Sequence, residues 1–267
     1  TGFDVKFGLI FRPVEVSPFR IGLYVSTPTF YDLKTENYTT LSNNTKYGAY
    51  DNGRSNDIYD FRFNTPWKFG ISLGHTVGNF LALGASYEYS DYSKLDNRII
   101  DGEGYDWWND TYYDSSSSDY AMNDNTEYSL KGVSTLKLGA EYKPVPELAL
   151  RVGYNYVSAM YNENGYKDGT VWSPGSYYSS TTDYTNWKST NRVTFGIGYQ
   201  VGRTNIDLAY QYSSQDGEFH PFMEYSGSSK TLTNSVTGET MSYNNVPDVT
   251  TVNNKRHQVL LTLGYRF

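Results

Sequence analysis

Apolar and polar residues alternate strictly along this chain, in block after block. In 3–12 the residues Phe3, Val5, Phe7, Leu9 and Phe11 are apolar, while Asp4, Lys6, Gly8 and Arg12 are polar or small. A period of two throws successive side chains to opposite faces, which is the signature of a β-strand. The same period runs through 19–27, 67–76, 81–90, 135–143, 148–157, 192–201, 205–213 and 257–267. The fold class is therefore all-β, with nine predicted strands of about ten residues each.

Alternation alone also suits a soluble sandwich. What separates the two architectures is the chemistry of the faces. The apolar face repeatedly ends in tyrosine, at Tyr87, Tyr89, Tyr142, Tyr154, Tyr156, Tyr199, Tyr210, Tyr212 and Tyr265. A phenol ring with one dry and one wet end belongs at a membrane interface. The opposite face carries Gly, Ser, Thr, Asn, Gln and isolated charges, which suits a polar barrel interior. The connections alternate as well: short near 13–18, at Gly78-Asn79, at Pro144 to Glu147 and at Gly202-Arg203; long over about 31–57, 93–130, 163–190 and 214–254. Short turns at one end and long loops at the other are the habit of an outer-membrane barrel.

Composition fits once it is divided by position. The 267 residues include 28 Tyr and 13 Phe, too aromatic for a disordered chain, yet the mean hydropathy is -0.62. Polar long loops account for that value, and no stretch approaches a membrane-spanning helix. The 22 Lys+Arg against 29 Asp+Glu, with no basic run, argue against a nucleic-acid partner. The absence of Cys removes disulfides, thiolate metal sites and Cys nucleophiles.

The chain finishes Thr262-Leu263-Gly264-Tyr265-Arg266-Phe267. This resembles the C-terminal signal read by the barrel assembly machinery, with Gly264, Tyr265 and Phe267 as its residues. The machinery and outer-membrane lipid are thus expected partners. An antiparallel barrel closes with an even strand count, so nine strands predict either a piece of a larger barrel, with N-terminal strands absent from 1–267, or a tenth strand concealed in an irregular segment.

Four segments carry a family resemblance: Pro18 to Phe30, Asn64-Thr65-Pro66-Trp67-Lys68-Phe69-Gly70, Leu136 to Pro144, and Asp207-Leu208-Ala209-Tyr210. They resemble the C-terminal part of the FadL/OmpP1/TodX transporters, most of all members from Bacteroidetes-type bacteria. The resemblance implies a fourteen-stranded multi-pass barrel of the bacterial outer membrane, with an N-terminal hatch inside it. It also implies passive uptake of long-chain fatty acids or other hydrophobic compounds, with sideways release through the barrel wall. An alternative is a non-transporting barrel of the same family, acting as a structural or secretion-associated platform.

The alternation assigns Lys6, Arg12, Arg20, Lys68, Lys137, Arg151, Arg192 and Arg266 to the inner face, with Asp4, Glu88, Glu141 and Asp207. These form lumen ion networks or anchor a ligand carboxylate, since an unpaired buried charge is costly. Lys68, Arg151 and Arg192 are the candidate carboxylate anchors or hatch contacts. Tyr38 and Leu41 in loop 31–57, with Trp107 and Trp108 in loop 93–130, are candidate capture residues; otherwise they pack the loops into a cap. By count from the C-terminus, the resemblance makes loop 31–57 one of two that form an entrance groove. Thr27-Pro28 and Thr65-Pro66 mark strand ends, bulges or kinks, and either end the strand or help to open a lateral exit.

Enzymatic signatures fail on context. Gly70-Ile71-Ser72-Leu73-Gly74 matches G-x-S-x-G but lies inside an alternating strand without the following helix of a nucleophile elbow. His75, His220 and His257 lack metal-ligand spacing. The aspartates of 93–130 crowd one loop and could meet Ca²⁺, but they do not follow the order of an EF-hand, and a solvated acidic loop is the expected reading. The sequence therefore predicts no enzyme, no cofactor and no metal.

Overall fold

The computed structural model describes residues 1–177 and 183–266. Nine strands form one antiparallel sheet: β1 (Lys6–Phe11), β2 (Arg20–Ser26), β3 (Lys68–Val77), β4 (Leu81–Asp91), β5 (Gly132–Val145), β6 (Leu148–Val157), β7 (Tyr184–Val201), β8 (Thr204–His220) and β9 (Thr250–Tyr265). Each pairs only with its neighbours in sequence, so the sheet is an unbroken meander. All nine predicted strands are present.

Burial is inverted relative to a soluble protein. Along β3 the apolar Phe69, Ile71 and Leu73 are exposed, whereas Lys68, Gly70, Ser72 and Gly74 between them are half-buried. Only Val133 and Ala149 are buried apolar residues among those described. The accessible surface is 18654 Å², against the about 11,800 Å² that a compact soluble monomer of 30.4 kDa exposes. A sandwich would hide this apolar face in a core. Here it is the outer, lipid-facing surface, and the polar face is concave: Tyr24 on β2 reaches Glu88 on β4, and Arg151 on β6 reaches Asp207 on β8, each spanning the strand between.

Register places the tyrosines in two staggered belts. Toward the long connections they come in pairs on alternate strands, 87 and 89 on β4, 154 and 156 on β6, 210 and 212 on β8. Each pair sits one hydrogen-bonded row below the previous one: Tyr156 shares a row with Tyr87 through Leu136, and Tyr212 shares a row with Tyr154 through Val193. Toward the short turns, Tyr142, Tyr199 and Tyr265 step down in the same way. One row is about 6.8 Å and two strand spacings about 9.6 Å, so level belts require strands tilted by about 35°. That is the tilt of a membrane barrel. The belts lie about seven residues apart along a strand, hence about 20 Å apart along the membrane normal, just under the usual apolar band of about 25 Å.

The predicted long loops are largely structured, which corrects the sequence reading. The segment expected as loop 31–57 is a hairpin of strands Phe30–Thr45 and Gly48–Asn64. Within 93–130 lie a second hairpin, Asp96–Asp106 with Thr111–Ser118, and helix α1 (Tyr120–Ser129). Asp119 caps α1 by accepting from the Met122 N–H at 3.2 Å. A four-residue helix α2 (Pro174–Tyr177) lies between β6 and β7, and strands Tyr225–Thr233 and Thr240–Asn245 between β8 and β9. Moreover, β7, β8 and β9 run well beyond the upper belt, to 184, 220 and 250.

The two hairpins, with the short strand Gly2–Phe3, make a separate five-stranded sheet that continues the line of β1 to β4. The break falls at one level in all four: Asp4-Val5, Thr27 to Thr29, Thr65 to Trp67, and the 3-10 turn Tyr92–Lys94. Proline at 28 and 66 explains two of these interruptions, because neither can donate to a ladder. Phe3 accordingly belongs to the outer sheet, and Asp4 lies in the break, accepting from Thr29 Oγ1 at 2.9 Å.

One inner row is bare. Gly74, Gly84, Gly139 and Gly153 pair in register across β3, β4, β5 and β6. A Cβ on Gly74 would meet nothing within 4 Å.

Candidate functional site

The concave wall divides into a neutralised level and an unneutralised one. Near the short turns, Arg151 donates to Glu141 at 2.7 Å and to Asp207 at 2.6 Å, while Lys143 lies 3.3 Å from Glu141. Arg151 crosses β7 to reach Asp207 because Gly196 and Gly198 stand beneath it. A Cβ on Gly198 would lie 3.0 Å from Arg151 Nη1 and would collide with the Asp207 carboxylate. Higher up, Glu88 accepts from the Tyr24 hydroxyl, and Lys6 Nζ lies 4.7 Å from the centre of the Tyr24 ring. These contacts are the lumen networks expected from the alternating charges.

Arg151 is thus committed to two carboxylates, whereas Lys68 and Arg192 have no ion pair among the described residues. Lys68 sits in register between Ser26 and Ser90. Arg192 reaches Asn155 at 3.5 Å. It belongs to one row across five strands, Lys137, Asn155, Arg192, Ser213 and Arg256. The row presents three cations about 9.6 Å apart, with hydrogen-bonding side chains between them and no acidic partner among the described residues. Arg256 is absent from the sequence-predicted set because the last strand was expected to begin at 257. Conversely, Arg12 and Arg266 lie just beyond strand ends; Arg12 Nε donates to Ser17 O at 3.0 Å in the turn.

Outside the wall, Tyr38 and Leu41 stand on the first outer hairpin, 66% and 63% exposed. Trp107 and Trp108 occupy the tip of the second, 86% and 96% exposed. The hairpins pair with one another only over Phe61 to Asn64 with Asp96 to Ile99. Of these side chains, Trp107 meets the Tyr105 ring edge-on at 5.7 Å. Asp96 ties the second hairpin to α1: it accepts from Arg98 Nη1 at 3.0 Å, Ser118 Oγ at 2.8 Å and Asn123 Nδ2 at 3.0 Å. Partial burial raises its pKa, but Arg98 and the other donors outweigh it and hold the carboxyl below the ordinary range.

At the break, Pro28, Pro66, Trp67, Phe69 and Tyr89 line a cavity of about 340 Å³. Ser72 lies mid-strand on β3, facing the lumen beside Gly22 on β2 and Ser86 on β4. Among the described residues no group of three or more His, Asp or Glu could hold a metal ion. Of the terminal assembly residues, Gly264 and Tyr265 complete β9, and Phe267 lies outside the described residues.

No family model matches the chain, and no curated protein matches it. Solved structures do. The TodX monoaromatic hydrocarbon channel deltaS2 mutant aligns at 15% identity and a TM-score of 0.50, over 100% of this chain and 50% of that one. The toluene transporter TodX of Pseudomonas putida aligns at 14% identity and 0.47, over 98% and 48%. The toluene transporter TbuX of Ralstonia pickettii aligns at 14% and 0.44, over 97% and 46%. The chain spans about half the length of these structures. Together with the inverted wall and its tilted tyrosine belts, the first of these likenesses shows that the chain has the antiparallel β-barrel fold of the FadL/TodX outer-membrane channels.

Proposed function

We propose that the protein carries hydrophobic compounds, long-chain fatty acids first among them, across the bacterial outer membrane by passive diffusion through the barrel. The observation that carries this reading is the lumen row of Lys137, Arg192 and Arg256, which lacks acidic partners among the described residues while the lower cation, Arg151, is fully paired. A fatty acid brings one carboxylate on an otherwise apolar body, and an unneutralised cation row attracts that carboxylate without binding it as tightly as a closed pocket does. Lys68 extends the same chemistry toward β3. Exposed Tyr38, Leu41, Trp107 and Trp108 serve as the first apolar contact for a solute arriving from outside. Outer-membrane lipid covers the apolar face, and the assembly machinery reads the last strand.

The test is radiolabelled oleate uptake by a transporter-deficient host expressing the full-length protein. Uptake should rise above the vector control and fall in Arg192→Gln. Correct insertion without any rise sinks the transport reading.

A further inference from the structure

A second cavity lies outside the barrel lumen, at the long-connection end. Its volume is about 340 Å³, and its walls come from α1, the segment between β6 and β7, the start of β7 and the stretch after β8. Tyr161, Tyr166 and Tyr184 form its aromatic walls, with Met122 and Met223 beside them. The walls are held from behind. Ser129 Oγ donates to Tyr166 O at 2.8 Å, and Asn162 Nδ2 donates to Tyr128 O at 2.7 Å. The Tyr184 hydroxyl accepts from the Lys167 N–H at 3.0 Å, and the His220 ring stacks on the Tyr184 ring at 4.4 Å and 5°. Burial lowers the pKa of that imidazole below its ordinary value, against the opposing pull of Glu218 and Glu224.

One lining group is unsatisfied. Asn186 is 5% exposed, and its Nδ2 donates to Gly165 O at 2.6 Å. That bond fixes which end of the amide is which. It leaves Oδ1 as a buried acceptor with no hydrogen-bond partner among the described residues. Buried polar groups are ordinarily paired, and an exception at the wall of a cavity points to a donor supplied from elsewhere. Size and charge narrow the donor. At interior packing density the cavity takes on the order of a dozen non-hydrogen atoms. Its lining carries one cation, Lys167, and one anion, Asp168, whose Oδ1 is already taken by Thr170. Tyrosine faces and methionine sulfurs favour a ring over an alkyl chain.

We propose that this cavity is a binding site for a small neutral aromatic molecule bearing one N–H or O–H donor, which pairs with Asn186 Oδ1. The site is independent of the lumen cation row and stands whether or not the lumen carries fatty acids. Indole is a suitable probe, and 1-methylindole is its control, equal in shape apart from a methyl group in place of the donor hydrogen. With the full-length protein in lipid nanodiscs, calorimetric titration should give saturable one-to-one binding of indole. Binding of 1-methylindole should be about tenfold weaker, the usual worth of one buried hydrogen bond. A Cβ at Gly175 meets Met122 Cε at 3.4 Å, an ordinary contact, so Gly175→Leu fills the cavity without displacing backbone. This variant should abolish indole binding while oleate uptake persists. Equal affinity for the two probes, unchanged binding in Gly175→Leu, or no saturable binding overturns the proposal.

Discussion

At the scale of single residues, the lumen wall separates charges that hold the structure from charges that remain available. Arg151 is the clearest of the first kind, since its removal leaves Glu141 with Lys143 alone and Asp207 with only the Asn205 amide, which donates to it at 3.2 Å. The three charged side chains are 28% to 45% exposed, so solvent screening discounts the loss, and Arg151→Met should cost about 1–2 kcal/mol. Urea unfolding of the protein in vesicles measures this, and Arg151→Lys should recover part of it. Arg192→Gln, by contrast, should leave stability within about 0.5 kcal/mol and lower oleate uptake severalfold. Asp96 supplies a pH-dependent contact. Its folded-state pKa lies below the ordinary 3.8, so its contribution is complete above that value and disappears as the pH falls below it toward the folded value. Hydrogen exchange over α1 should therefore quicken on acidification from pH 6 to pH 3, and Asp96→Asn should blunt the change. The ion partners of Arg151 were legible in sequence as residues of one face, but their specific pairing was not, because Asp207 is reached only across two glycines of β7. Arg256 is illegible in sequence for a related reason: above the tyrosines both faces of β9 are polar, and the period that reveals a strand vanishes.

The same loss of contrast governs the elements. Every strand of the lipid-facing wall shows in the sequence, since lipid on one side and polar lumen on the other force a period of two. Once past the upper belt, both faces meet water. The segment Asp32-Leu33-Lys34-Thr35-Glu36-Asn37-Tyr38 is hairpin in the structure and loop-like in composition. Its strands follow from hydrogen bonding to neighbours already aligned by the wall, not from a local apolar pattern. Prolines 28 and 66, readable as interruptions, turn out to be the seam between the two sheets. The belts give a prediction at this scale. Leu138 lies between them on β5, and lysine at mid-depth on the lipid face costs about 2–4 kcal/mol, against about 0–1 kcal/mol at an interface. Leu138→Lys should consequently lower the urea midpoint in vesicles much more than Tyr142→Lys. Similar losses at both positions would contradict the assigned depth.

Considered whole, the molecule is a wall without a core. Its stability rests on ladder hydrogen bonds, on lipid against the apolar face and on the few ion networks inside. The described edges, β1 and β9, do not pair with one another, and lipid cannot satisfy unpaired backbone groups. The cavity behind Asn186 belongs to this scale, because residues 122, 161 and 223 come from three separate connections brought against the start of β7; no local spacing announces it. The glycine row across β3 to β6 bears on the proposed passage of a solute through the lumen. A wall made of side chains presents a moving solute with rotamers that must turn aside, each with its own barrier and its own preferred partners. At Gly74, Gly84 and Gly139 a solute taken up as proposed would face only peptide groups whose hydrogen bonds are already used within the ladder, and at Gly153 it would also meet the Thr194 hydroxyl. From Gly74 to Gly139 that strip would offer little to hold on to and no side chain to rearrange, so a side chain introduced there should add friction. Gly139→Leu should therefore slow oleate flux severalfold while leaving the amount of folded protein in the membrane unchanged, with uptake rate and heat-modifiable electrophoretic mobility as the two readouts. Under the proposed function, a smooth lane beside a row of cations would let the apolar body of a solute slide while its charged end hops.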